Sequence, residues 1–177
     1  GTTGVQGSSA LFEAIESGDR DKVNRILQRN PEAVNEVNRK GDSPLHCAAR
    51  LGYTEIAKEL LSYGANINAR GHNQWTPLHW TSERGHPDTA RLLISRGANP
   101  NSRRDDGFTP LHIAAYWGRK KMVQYFLSHG ADKNIRTNRG LTPSRIALIR
   151  KHNEVARLIR YSKTCLLYTS PSPRDLS

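Results

Sequence analysis

The chain has 177 residues, a length that suits one domain, with 27 basic and 16 acidic side chains and a formal net charge of +11. No apolar run approaches the ~20 residues that a membrane-spanning helix needs. Two cysteines, Cys47 and Cys165, exclude a disulfide framework and favour a reducing compartment, cytoplasmic or nuclear.

Residues 1–7, GTTGVQG, read as a flexible linker, and a start without Met points to a fragment or a processed end. Residues 8–37 show helical spacing: Leu11, Ala14 and Ile15, then Val23, Ile26 and Leu27. From there a tetrapeptide returns every 33 residues: SPLH at 43–46, TPLH at 76–79, TPLH at 109–112 and a worn TPSR at 142–145. A fixed period of this size marks a stack of small units that bury their faces against neighbours.

Each unit reads as a turn, a short helix, a tight turn, a second helix and an extended loop. Ser43, Thr76, Thr109 and Thr142 can cap a helix start, and the proline after each has no N–H to leave unpaired. Leu45, Leu78 and Leu111, with small residues at 48–49, 81–82 and 114–115, predict a narrow apolar face. Gly52, Gly85 and Gly118 end these helices. The second helices carry stripes such as Ile56, Ala57, Leu60 and Leu61. In the last unit Arg145 replaces the histidine and Lys151 the glycine, as a terminal cap allows.

The TPLH core, the Ala-Ala, the Gly and the Gly-Ala-Asn/Asp, in this order and spacing, resemble the ankyrin repeat. The resemblance covers roughly residues 8–163. It implies an all-α solenoid of helix-turn-helix units with short β-hairpin loops: three full repeats between degenerate N- and C-terminal ones. Residues 164–177 read as a disordered tail. Within it CLLYTSPSPRD, 165–175, resembles a translated sequencing adapter, the other reading being an ordinary tail with two Ser-Pro sites.

The resemblance assigns His46, His79 and His112 to structural hydrogen bonds, and their spacing puts them on successive rungs rather than at one ligand or catalytic site. His72, His86, His129 and His152 read as scattered and exposed, and Asp105-Asp106 as a solvated turn. No nucleotide-binding glycine motif and no zinc-spaced cysteine pairs occur. The expectation is a non-enzymatic module without a cofactor or metal.

Modules of this kind bind through hairpin tips and the exposed side of the first helix. By alignment that stripe includes Arg50, Trp75, Glu83, Arg84, Phe108, Tyr116, Trp117, Arg139 and Arg150. Its centre is aromatic in a chain with only 7% aromatics, and Trp, Tyr and Arg dominate interface hot spots. Trp75, Phe108 and Leu141 share a register and are expected to form an apolar ladder. The other reading has these rings packing between repeats. Trp80 is expected in the core.

Charge is uneven: residues 1–66 carry 8 basic and 9 acidic groups, net −1, and residues 67–177 carry 19 and 7, net +12. A solvated basic face is the plain explanation; an acidic partner is the functional one. Arg119, Lys120 and Lys121 at a helix start form a possible anion patch. Asn68 resembles the loop asparagine that hydroxylases modify in this family, or is simply a turn residue.

Together these features predict a monomeric protein-interaction module that binds an acidic or mixed acidic-apolar segment on its concave face. Alternatives are the targeting domain of a truncated larger enzyme, ubiquitin ligase or channel, and a basic half that binds nucleic acid or nucleotide.

Overall fold

A computed structural model describes residues 3–163. Its α-helices come in five pairs: α1 (Thr3–Glu16) and α2 (Arg20–Arg29), α3 (Pro44–Leu51) and α4 (Thr54–Ser62), α5 (Pro77–Arg84) and α6 (Pro87–Ser95), α7 (Pro110–Tyr116) and α8 (Lys120–Ser128), α9 (Pro143–Ile149) and α10 (Asn153–Tyr161). First helices pack on first helices and second on second, so the stack has two layers. Helix α1 begins at Thr3, inside the stretch expected to be linker. Extending a nucleated helix fixes one residue per added hydrogen bond, far less costly than starting one. The adapter-like stretch lies outside the described residues.

The tetrapeptide builds each first helix. Ser43 sits in extended conformation and its hydroxyl accepts from the His46 N–H, while the His46 ring accepts from the Ser43 N–H. This is a capping box in which histidine does the work of the usual Glu or Gln. It recurs at Thr76 with His79 and at Thr109 with His112. At the worn fourth copy Thr142 still accepts from the Arg145 N–H, but the exposed arginine returns nothing. The helix-ending positions Gly52, Gly85 and Gly118 are left-handed (φ 73°, 75° and 65°), and Lys151 takes the same conformation at φ 66°.

Leu45, Leu78 and Leu111 are buried, and Ala48, Ala49, Ala114 and Ala115 let neighbouring first helices approach. Thr81 and Ser82 occupy the same small-residue places. Both hydroxyls donate to the Leu78 carbonyl, so burial leaves neither unpaired. In the last repeat Leu148 stands where Ala49, Ser82 and Ala115 stand in the others, and it is 42% exposed because no described repeat follows.

Hairpin loops join the repeats, each neck closed by one main-chain bond: Asn38 N–H to Asp42 O, Gly71 to Trp75, Arg104 to Phe108 and Thr137 to Leu141. One bond per neck is too little for a strand ladder, and no strand forms among the described residues. Neighbouring tips join through Asp105 N–H to Asn73 O and Asn138 N–H to Asp106 O.

Candidate functional site

The three tetrapeptide histidines are rungs. Each Nδ1 accepts from its own capping residue, which places the proton on Nε2. That proton is donated to the next hairpin: His46 to Trp75 O at 2.8 Å, His79 to Phe108 O and His112 to Leu141 O at 2.9 Å each. Burial outweighs these bonds and lowers all three pKa values, to about 4 for His79 and His112. Neutral rings fixed in one tautomer orient hairpins; they are not free to carry protons.

A second set of links runs backwards, and sequence reasoning missed it. The residue before each of the last three second helices, α6, α8 and α10, reaches the end of the preceding repeat's first helix. His86 Nε2 lies 2.9 Å from Arg50 O, Arg119 donates to Ser82 O and Glu83 O at 2.8 and 2.9 Å, and His152 Nε2 lies 3.0 Å from Tyr116 O. These side chains satisfy carbonyls that a helix end leaves unpaired. His86 and His152 are therefore half-buried, not freely exposed. The spacing 86, 119, 152 was the available signal, hidden because the residue type changes.

Arg119 is thus spent on carbonyls, and Lys120 pairs with Glu154 at 2.6 Å, leaving Lys121 exposed beside them. The three do not assemble into one anion-facing cluster. Asn68 is exposed, and its amide oxygen accepts from the Asn99 N–H at 2.9 Å. Asn35 and Asn101 make the corresponding link, so Asn68 serves as a fastener between loops. Cys47 is a buried free thiol whose pKa burial raises.

The aromatic residues do assemble. Trp75, Glu83, Arg104, Phe108, Ile113, Tyr116 and Trp117 line a cleft of about 320 Å³ where two hairpins meet α5 and α7. The expected apolar ladder of Trp75 and Phe108 is interrupted by a cation. The Arg104 guanidinium lies 4.6 Å from the Trp75 ring centre and 4.5 Å from that of Phe108. Guanidinium over an aromatic face is electrostatically favourable. Asp106 holds it in place with two bonds of 2.8 and 2.9 Å. Burial pushes the Asp106 carboxyl up, but bonds from Arg104 and the Phe108 N–H, with the Arg104 charge, hold it below its usual value. Asp106 is thus an anchor rather than an idle turn residue. The hint for Arg104 was its place in the period, which Gly71 and Thr137 fill in neighbouring hairpins.

Tyr116 and Trp117 form the far wall, edge to face at 4.9 Å. Trp117 is 43% exposed, and its indole N–H donates to Glu83 Oε2 at 3.0 Å. Arg150 lies over Tyr116 at 4.3 Å. Trp80, expected in the core, is half-buried and packs against Trp75 with ring centres 4.4 Å apart and planes tilted by 34°; Arg84 lies 5.8 Å from its ring centre. Of the stripe predicted from sequence, Trp75, Glu83, Phe108, Tyr116 and Trp117 meet, with Arg84 and Arg150 against neighbouring rings. Arg50 stands apart, facing Glu16 at 3.8 Å, and Arg139 is exposed on another hairpin.

The model for ankyrin repeats (3 copies) matches residues 11–104, 70–137 and 96–167. Among curated proteins, the chain is 52% identical over 56 residues to a putative ankyrin repeat protein of fowlpox virus, covering 32% of this chain and 13% of that one. It is 34% identical over 71 residues to the mouse 2-5A-dependent ribonuclease, 40% of this chain and 10% of that protein. It is 46% identical over 68 residues to the human receptor-interacting serine/threonine-protein kinase 4, 38% of this chain and 8% of the kinase. Each match is thus a small part of a longer protein. With its periodic capping boxes, its two helical layers and a family model that spans most of its length, the chain belongs to the ankyrin-repeat family.

Proposed function

We propose that the chain is a non-enzymatic, monomeric interaction module that takes an extended or loop segment of a partner protein into the cleft between Trp75, Phe108, Tyr116 and Trp117. The supporting observation is the exposed Trp117 ring beside three half-buried aromatics, on a face where the other repeats carry no such group. Rigid aromatics lose little entropy on binding and concentrate interface energy. Arg84 and Arg150 at the margins favour acidic residues flanking the anchor of that segment.

The test is selection of peptides from a random library against the chain, followed by Tyr116→Ala and Trp117→Ala. Selected peptides are expected to lose at least tenfold in affinity while the urea midpoint of the protein stays nearly constant. A sharp fall in stability with unchanged peptide affinity would assign both rings to the core and overturn the proposal. A second reading, a targeting module within a larger enzyme, draws on the ribonuclease and kinase relatives. Recovery of the full-length transcript tests it.

A further inference from the structure

We infer that the cleft is built around a lysine-type ammonium of the partner segment, with Glu83 as its counter-charge. This rests on the interaction reading above and names its anchor.

Among the described residues, Glu83 is the one carboxylate that lines the cleft. Its Oε2 accepts from the Trp117 indole N–H, and Oε1 has no hydrogen-bond donor or cation in range among the described residues. Four arginines lie nearby, and each is directed elsewhere. Arg104 is matched by Asp106 in a two-bond pair, Arg119 donates to the Ser82 and Glu83 carbonyls and lies 6.0 Å from the Trp117 ring centre, Arg84 lies over Trp80 and Arg150 over Tyr116. All four guanidinium groups thus address rings, carbonyls or Asp106, and none pairs with the Glu83 carboxylate.

The walls suit a cation as well. Arg104 already fills the space between Trp75 and Phe108, so the aromatic surface left for an incoming cation is that of Trp117. The part of Trp117 left exposed beside Arg119 can cover an alkyl stem as it leads to Glu83. The number of free oxygens selects the head group. A guanidinium gains most from two parallel bonds to both carboxylate oxygens, whereas an ammonium is a point charge that one oxygen serves. With Oε2 already engaged, Glu83 fits the ammonium.

The test follows the Trp117 indole N–H of the isotope-labelled chain by NMR, at fixed ionic strength. The probes are N-acetyl-lysine methylamide, its norleucine counterpart as the neutral analogue, and its glutamate counterpart. Lysine is expected to shift the signal saturably, at least about fivefold more tightly than norleucine. Glu83→Gln keeps an acceptor for Trp117, so it should erase that advantage without moving the urea midpoint. Equal binding of lysine and norleucine, tighter binding of glutamate, an unchanged lysine preference in the Gln variant, or no shift with any probe would overturn the inference. If lysine and norleucine bind alike and library-selected peptides still need Trp117, only the ammonium falls and the interaction module stands. If selected peptides ignore Trp117, the module reading itself fails.

Discussion

Residue 74 carries the one exception in a pattern of four hairpins. Gly41, Gly107 and Gly140 hold the fourth place of their loops at φ 87°, 85° and 80°, a left-handed conformation natural to glycine. The corresponding residue beside the cleft is Gln74 at φ 64°, after Asn73 at φ 54°. A side chain in this region costs about 1–2 kcal/mol, partly offset by the flexibility glycine would add to the unfolded chain. Gln74→Gly is therefore expected to stabilise the protein by about 0.5–1 kcal/mol, read as a higher urea midpoint with unchanged slope. A lower midpoint would show that Gln74 makes compensating contacts. This exception is readable in the sequence once the loops are aligned. The role of Arg104 is not, because it depends on Trp75, 29 residues away, meeting a guanidinium that Asp106 and Phe108 hold within their own hairpin.

At the scale of the helix, the sequence announced starts better than ends. Ser43, Thr76, Thr109 and Thr142 cap where the tetrapeptide says they should, since a cap is local chemistry within four residues. The far ends depend on side chains from the following repeat, and local pattern does not show such a link. Arg119 carries the strongest of them, with two bonds to the end of α5. Arg119→Met keeps the stem and removes both donors, and should cost about 1–3 kcal/mol. Unchanged thermal stability would mean that water replaces the guanidinium freely.

The helix starts carry a pH dependence of their own. His79 and His112 titrate at about 4 in the folded chain, against 6.5 for an unburied ring. Between these values the unfolded state binds more protons, so their contribution is complete above pH 6.5 and is lost as pH falls toward 4. At pH 5 each ring should have withdrawn roughly 2 kcal/mol. Chemical denaturation at pH 7 and pH 5 checks this, and a flat profile would contradict buried neutral rings.

For the molecule as a whole, every side-chain hydrogen bond between repeats among the described residues joins residues 27 to 39 positions apart, about one period. Among the described residues no such bond ties the first repeat to the last. Excision of one whole period, residues 77–109, should therefore leave a chain that folds with a proportionate loss of stability. Excision of half a period should not, because it misplaces the histidine and backward links that cross the cut; circular dichroism during heating distinguishes the two. The sequence made this architecture legible because stacking repeats it. The cleft was only partly legible, since it is built from departures that differ at each rung. The backward links also give the stack a direction in time. On a ribosome, α5 is complete in sequence at Arg84, yet the donor that closes its end is encoded 35 residues later at Arg119. The first helices α3, α5 and α7 of the nascent chain thus wait for the next repeat to emerge before their last carbonyls are satisfied, so the growing end of the stack is its least finished part.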